Sequence, residues 1–249
     1  MTLEPAASEP NTGKTYILLH GALHGGWCWR YVAELMSSAG HRVHAPTQTG
    51  LGQYKHLLSG AITLDTFIAD ITNLIEMEEL NDVILVGHSF GGAVILGVAD
   101  RMPERIRHLV LLDSLIVESG HRPFGMLAPE VAAARRTLAA GEGLGLALPV
   151  PPVTIFGIPD DHPKAAWVRR HLTPHPVGTY ESPLMLDHPL GNGRPCTYIH
   201  CTKPVYEPLE SSRQLARRQP GWNWLEIATG HDAMVLAPAE LSQMLMNIA

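Results

Sequence analysis

The chain has 249 residues, of which 45% are hydrophobic and 17% are charged, and its formal net charge at pH 7 is −6. This composition is typical of a globular protein and argues against a disordered chain or a coiled coil. The acidic balance argues against a protein that binds nucleic acid through its phosphates. The three cysteines form no CxxC pair, which argues against a disulfide scaffold or a zinc ribbon. We expect one domain spanning residues 1–249.

The N-terminal residues 1–14 are polar and predict a loose arm. They contain no basic segment followed by an apolar one, as a signal peptide would. No stretch approaches the roughly 18 uninterrupted apolar residues that a membrane-spanning helix needs. We therefore expect a cytoplasmic protein with no membrane partner.

Short apolar runs alternate with helical patterns along the rest of the chain. The predicted strands are Tyr16–Gly21, His41–Pro46, Val83–His88, His108–Asp113, Cys196–Cys201 and Trp222–Ile227. They are apolar on both faces, as expected of parallel strands covered on both sides. Helices are predicted over Trp27–Ser38, from Leu64 to Ile75 and from Pro238 onward. This alternation predicts a doubly wound, mostly parallel α/β sheet of about six strands.

Residues 115–194 interrupt this alternation of strands and helices with a long segment rich in proline, glycine and histidine. A structureless loop of that length is improbable in a compact domain. We predict a helical insertion over one edge of the sheet, called the cap below, on a core of residues 15–114 and 195–249. Its apolar candidates for lining a pocket are Phe124, Met126, Leu127, Phe156, Trp167 and Tyr180. The alternative for each is packing inside the cap itself.

The segment Gly87-His88-Ser89-Phe90-Gly91 fits the GxSxG motif and joins an apolar run to a helical one. That context is the one the motif needs, because the serine must lie on a tight strand-to-helix turn that bulkier neighbours would block. The following helix would direct its N-terminus toward a developing oxyanion. We predict Ser89 as a nucleophile; the alternative is a glycine-rich turn with an incidental serine.

A nucleophilic serine needs a base, and the sheet order expected for this motif places it after the last strand. His231 lies there, before the final helix. The sequence contains 14 histidines, and only its position distinguishes this one. We predict His231 as the general base.

The acid that orients such a histidine should follow a strand between the serine and the histidine. Asp113 ends the strand after the nucleophile, and Glu207 is the first acid after the next strand. We favour Asp113, because adjacent strands lie only about 4.8 Å apart, and keep Glu207 as the alternative. A third possibility is a Ser–His pair with a structural carboxylate. Asp232 is set aside, because a residue next to the histidine cannot easily fold back to its ring.

Acyl chemistry also needs an oxyanion hole. One donor would be the amide of Phe90, and the other should come from the small-residue loop at 20–27. His20 and His24 have i, i+4 spacing, but on a strand end and a loop, so they indicate zinc only weakly. There is no GxGxxG motif and no P-loop lysine. We predict no metal and no cofactor.

Four segments together resemble the α/β-hydrolase superfamily, in its small esterase branch of plant methylesterases, hydroxynitrile lyases and bacterial carboxylesterases. They are YILLHGALHGGWCW, VILVGHSFGGAV, HLVLLDSL and TGHDAMVLAPAEL, and the likeness spans roughly residues 15–120 and 195–249. The resemblance implies an α/β-hydrolase fold. It also implies Ser89 as nucleophile, His231 as base and the amides of Ala22 and Phe90 as oxyanion hole.

Three positions refine this comparison. Pro204 stands where the branch usually has its aspartate, which favours Asp113 as the acid. Hydroxynitrile lyases have threonine at the position of Gly21 and lysine at that of Asp232, so cyanohydrin cleavage is disfavoured. The nucleophile is serine, whereas dehalogenases and epoxide hydrolases of the superfamily use aspartate.

The sequence thus predicts a serine carboxylesterase that cleaves a small-to-medium, fairly apolar ester through an acyl-enzyme on a Ser-His-Asp triad. Its expected partner is this small-molecule ester, and the oligomeric state stays open. The alternatives are a C–C hydrolase or lyase on the same triad and a ligand receptor without rapid turnover.

Overall fold

The structure is a computed structural model that describes residues 13–248. Most of the predicted polar arm, residues 1–12, lies outside the described residues. Lys14 is held in place, because its Nζ donates a hydrogen bond to the carbonyl oxygen of Met246 at 2.8 Å.

The strands and helices alternate as the sequence predicts, and the cap contributes further elements. The strands are β1 (Thr15–Leu19), β2 (Arg42–His44), β3 (Val83–His88), β4 (Ile106–Leu112), β5 (Ala147–Leu148), β6 (His175–Pro176), β7 (Cys196–Cys201) and β8 (Asn223–Ile227). The helices are α1 (Arg30–Ser38), α2 (Leu64–Met77), α3 (Gly91–Arg101), α4 (Pro129–Ala140), α5 (Ala165–His171), α6 (Gly178–Glu181), α7 (Glu210–Arg218), α8 (Ala233–Leu236) and α9 (Pro238–Asn247). Short 3-10 turns cover Gly26–Trp29, Gly52–Leu57, Pro103–Arg105, Pro123–Met126, Val153–Phe156 and Glu207–Leu209.

Six strands form one sheet in the order β2-β1-β3-β4-β7-β8, and every pairing in it is parallel. The predicted doubly wound α/β fold is confirmed. Since parallel strands all end at the same edge, the residues that follow β1, β3, β4, β7 and β8 meet along one line. Every site residue predicted from the sequence follows one of these strands or lies in the loop after it.

Side chains of the central strands alternate between two apolar layers, one on each face of the sheet. On β1, Tyr16 and Leu18 belong to one layer, while Ile17 and Leu19 belong to the other. Helix α2 covers one face and begins at the N-cap Thr63, whose hydroxyl accepts a hydrogen bond from the amide of Thr66. Its buried stripe is Leu64, Phe67, Ile68, Ile71 and Ile75. Burial on both faces explains why these strands are apolar throughout.

Residues 115–194 contain α4, α5, α6 and a small antiparallel pair, β5 with β6. Backbone hydrogen bonds attach this segment to the core: the amide of Thr173 donates to the carbonyl of Leu23 at 2.9 Å. Within residues 13–248, no helix is both long and apolar enough to cross a membrane.

Candidate active site

Ser89 lies on a sharp turn between β3 and α3. Its backbone has φ of +52°, a left-handed conformation that costs a non-glycine residue on the order of 1–3 kcal/mol. Hydrogen bonds hold the turn: the Ser89 amide donates to the Leu112 carbonyl at 3.1 Å, and the Leu115 amide donates to the Ser89 carbonyl at 2.8 Å. The side chain is half-buried and lines a pocket at the carboxyl edge of the sheet.

The glycines around Ser89 are required by close backbone contacts. A Cβ at Gly87 would lie 2.7 Å from the carbonyl oxygen of Gly91, and a Cβ at Gly91 would lie 2.9 Å from that of His20. A Cβ at Gly92 would lie 2.6 Å from the Cβ of Ser114. Side chains at these positions would force the strand, the turn and the helix apart.

His231 and Asp113 are in direct contact. Nδ1 of His231 lies 2.6 Å from Oδ2 of Asp113, and the two residues are 2% and 0% exposed. Because the carboxylate accepts, Nδ1 carries the proton and Nε2 is left to accept one from another group. Asp113 follows β4 with φ of +39°, and His231 reaches it across the end of β7.

Arg213 of helix α7 is the cation nearest to this carboxylate. It is 3% exposed, and its Nη1 lies 3.9 Å from Oδ1 of Asp113. The same Nη1 donates to the carbonyl of Tyr206 at 3.0 Å. Arg213 therefore offsets the buried charge of Asp113 and fixes the backbone of Tyr206 at once.

Glu207, the alternative acid, lies elsewhere. It is exposed, begins the 3-10 turn Glu207–Leu209 and lines a different pocket together with Met126. Among the described residues its carboxylate makes no hydrogen bond with His231. Its neighbour Tyr206 does contact the base, with the two rings stacked at a centroid distance of 4.2 Å.

His88 packs on His231 with a ring-centroid distance of 4.5 Å. Its Nε2 donates a hydrogen bond to the main-chain carbonyl of His231 at 3.0 Å. Burial, together with the charge of neighbouring histidines, lowers the pKa of His88 well below its usual value, so this ring is neutral. The predicted base is thus held by contacts to its ring, its Nδ1 and its backbone. Sequence reasoning missed both Tyr206 and His88.

Asp232 does not contact the ring of His231, as predicted, but it forms a second buried pair. Its Oδ2 lies 3.0 Å from Nε2 of His24, whose Nδ1 lies 2.8 Å from the carbonyl of Ala22. Both imidazole nitrogens of His24 face acceptors and so both carry protons. Burial lowers the pKa of His24, but the charge of Asp232 and the hydrogen bonds outweigh it and raise the pKa overall.

Ala22 and Phe90, whose amides are the predicted oxyanion donors, both line the pocket. Within residues 13–248, neither donates a hydrogen bond to a protein acceptor. His20 holds the peptide that carries the Ala22 amide, because its Nδ1 donates to the Gly21 carbonyl at 2.8 Å while its Nε2 accepts from the Gln48 amide at 3.2 Å. Burial lowers the pKa of His20 to about 3, so it stays neutral.

His20 and His24 are therefore occupied by contacts to the loop and to Asp232. Within the part of the chain that the structure describes, no three histidine, cysteine or acidic side chains are placed to hold a metal ion.

The pocket above Ser89 is largely apolar, and cap residues form much of its wall. Leu127, Phe156 and Tyr180 line it, as the sequence analysis suggested. The other three candidates pack elsewhere: Phe124 lies behind Tyr180, Trp167 lies on Trp27, and Met126 lines the second pocket. Wall residues that the sequence did not indicate include Leu138, Leu148, Pro149, Pro151, Ile155 and Arg135.

A serine on a strained strand-to-helix turn, beside a carboxylate-bound histidine at the same sheet edge, is the arrangement that defines an α/β hydrolase. The sequence profile of the alpha/beta hydrolase family matches residues 16–244, and the chain belongs to this family. The predicted resemblance is confirmed.

Comparison with known proteins gives individual relatives. The chain is 41% identical over 238 residues to a carbendazim hydrolyzing esterase of Nocardioides sp. (strain SG-4G), covering 92% of this chain and 97% of the relative. It is 29% identical over 177 residues to putative methylesterase 14 of Arabidopsis thaliana, covering 71% and 47%. The solved structure of an extracellular alpha/beta-hydrolase from a Paenibacillus species has the same fold, with a TM-score of 0.79, 22% identity and coverage of 94% and 97%.

Proposed function

We propose that this protein is a serine carboxylesterase in which Ser89 is the nucleophile, His231 the general base and Asp113 the acid that orients His231. The observation that carries the proposal is the hydrogen bond between His231 and the buried Asp113, at the pocket that Ser89 also lines. Such a pair holds the imidazole in the tautomer that can accept the serine proton.

Ester cleavage as the reaction class is supported by the relatives. The carbendazim hydrolyzing esterase matches nearly the whole chain, and the methylesterase matches most of it. The apolar wall of the pocket suits a small or medium, mainly apolar ester.

The proposed reaction has two steps. Ser89 Oγ attacks the ester carbonyl while His231 Nε2 takes its proton, and the amides of Ala22 and Phe90 stabilise the tetrahedral oxyanion. Collapse breaks the ester C–O bond, and the alcohol leaves with the proton from His231. A water molecule, deprotonated by His231, then attacks the acyl group, and the carboxylic acid and free Ser89 are released.

We further propose that residues 115–194 act as a cap that selects the substrate on the core of residues 15–114 and 195–249. The cap supplies Leu127, Phe156 and Tyr180 to the pocket, whereas Ser89 and His231 come from the core. Substrate choice would then change with the cap while the chemistry stays the same.

Two contacts argue against a cyanohydrin lyase. A side chain at Gly21 would place its Cβ 2.8 Å from the Cβ of Ser89, so threonine does not fit there in this structure. Asp232 is paired with His24 beside the base and supplies no lysine-like positive charge there, whereas cyanide uptake would need one.

The test is covalent labelling followed by product analysis. A fluorophosphonate should label wild-type protein on the peptide that contains Ser89, and Ser89→Ala should remain unlabelled. Incubation with phenyl acetate should yield acid and alcohol in equal amounts. Carbonyl products from a suitable substrate would indicate lyase chemistry. Absence of labelling and turnover, together with tight ligand binding, would indicate a receptor.

A further inference from the structure

Arg135 is the one arginine or lysine among the described residues that line this largely apolar pocket. Arg135 lies on cap helix α4, is half-buried, and lines the same pocket as the core residues Ser89 and His231. Placing a charge in such surroundings costs free energy unless a partner compensates it.

Its protein partners are two tyrosine hydroxyls. Nη1 donates to Tyr180 Oη at 3.3 Å, and Nη2 donates to Tyr206 Oη at 2.8 Å. Among residues 13–248, no carboxylate lies within ion-pair distance of Arg135. The adjacent Arg136 differs, because it is exposed and its Nε lies 2.7 Å from Oε1 of Glu181.

The two tyrosines add hydrogen-bond donors to this cluster. Each hydroxyl accepts from Arg135, which leaves its own proton available for an acceptor. Burial raises the pKa of Tyr180 despite the charge of Arg135, so the phenol keeps its proton. Within the described residues, neither hydroxyl donates to a protein acceptor. The cluster thus presents a guanidinium and two O–H groups to the pocket and no acceptor.

The tyrosines also connect this cluster to the residues of the proposed reaction centre. Tyr206 stacks on His231, and Tyr180 packs on Phe90 with ring centroids 4.6 Å apart. Tyr206 therefore contacts both Arg135 and the proposed base, and Tyr180 contacts both Arg135 and Phe90.

We propose that Arg135, with Tyr180 and Tyr206, binds a carboxylate carried by the substrate, so that the substrate class is an ester with a second, free carboxylate. A planar guanidinium recognises a carboxylate in bidentate fashion, and the phenol protons add further hydrogen bonds. This inference rests on the proposed esterase function and specifies its substrate.

The test uses two matched ester pairs, because the carboxylate can lie on the acyl or on the alcohol side. For the acyl side, mono-p-nitrophenyl glutarate is compared with p-nitrophenyl pentanoate. For the alcohol side, 4-acetoxybenzoate is compared with 4-acetoxytoluene. Each kcat/KM is divided by the second-order rate constant for hydroxide-catalysed hydrolysis of the same ester, which corrects for carbonyl reactivity without counting attack of the glutarate carboxylate on its own ester. The proteins are wild type, Arg135→Met, Arg135→Lys and the control Arg136→Met.

In wild type, the charged ester of one pair should exceed its neutral partner by about 10- to 100-fold, the effect of hydrogen bonds to a charged group. Arg135→Met should lose this preference, so that its corrected rates on the two esters of the pair become about equal, whereas Arg136→Met should retain the wild-type preference. Arg135→Lys should keep part of the preference, because lysine keeps the positive charge but lacks the planar guanidinium that makes two parallel hydrogen bonds. It also provides the comparison if the Met variant is unstable.

Equal rates within both pairs, or a preference that survives Arg135→Met, would overturn the inference while leaving the esterase intact. Failure of the esterase itself gives a different pattern, with no ester in either pair hydrolysed. In that case, calorimetric titration with glutarate and with 4-hydroxybenzoate tests the carboxylate site directly. Binding to wild type and its loss in Arg135→Met would support the carboxylate site, and no binding would refute it.

Discussion

The imidazole of His231 and the carboxylate of Asp113 lie 2.6 Å apart although 118 residues separate them in the chain. They meet because β4 and β8 both pair with β7, so their carboxyl ends lie two strand spacings apart at one sheet edge. The related esterase branch usually has its aspartate after the strand that corresponds to β7, where this chain has Pro204. The acid that contacts the histidine here follows the neighbouring strand.

The closeness of Gly21 to the nucleophile gives a first prediction. In Gly21→Ala the new Cβ would lie 2.8 Å from Ser89 Cβ and 3.0 Å from His88 Nδ1. We expect kcat/KM for p-nitrophenyl acetate to fall about 100-fold, because a displacement of about 1 Å at a reacting group costs that much. Gly125→Ala is the control, since nothing lies within 4 Å of its added Cβ. Equal activity of the two variants would contradict the close approach.

The pair of His24 and Asp232 makes stability depend on pH. The folded-state pKa of His24 is raised above its ordinary value of 6.5. Its contribution is therefore complete below about pH 6.5 and is lost as the pH rises through the folded-state pKa. We expect Asp232→Asn to destabilise the fold by about 3–5 kcal/mol at pH 6, and by less at pH 9. Urea unfolding at both values measures the difference.

The control for that experiment is Asp82→Asn, which removes an exposed partner of Arg107. Its cost should be within about 1 kcal/mol at either pH. A destabilisation by Asp232→Asn that grows with rising pH would show that His24 is not the titrating partner.

Arg213 should support both Asp113 and Tyr206. Arg213→Met removes the buried cation 3.9 Å from Asp113 and the hydrogen bond to the Tyr206 carbonyl. We expect a loss of about 1–3 kcal/mol in the free energy of unfolding. We also expect kcat to fall more than KM rises, since the base is less firmly oriented. Arg218→Met, a change at an exposed position of the same helix, should leave both the free energy of unfolding and kcat nearly unchanged. A normal kcat in Arg213→Met would remove this role.

The sequence predicted the sheet well because its central strands are short apolar runs with clear ends. The predicted bounds of Val83–His88 and Cys196–Cys201 match the structure at both ends. Ser89 directly follows one predicted strand and Asp113 is the last residue of the next, so the order of strands was enough to bring them to one edge.

The contacts that sequence reasoning missed depend on tertiary packing. Asp232 was rejected as a partner of His231, but its contact with His24, 208 residues away, was not predicted. Arg135 lies on an alanine-rich cap helix whose pattern gives no sign of the two tyrosines that hold it. Three of the six apolar cap candidates pack away from the pocket, because apolar character alone does not distinguish a pocket wall from a core.

The most direct test of the proposed triad is the rate of p-nitrophenyl butyrate hydrolysis by wild type, Ser89→Ala, Asp113→Asn and Glu207→Gln. We expect activity in wild type, none above background in Ser89→Ala, a loss of about 10⁴-fold in Asp113→Asn, and nearly full activity in Glu207→Gln. A large loss of activity in Glu207→Gln together with nearly full activity in Asp113→Asn would contradict the assignment of Asp113 as the acid. Full activity in Ser89→Ala would contradict the nucleophile and with it the whole mechanism.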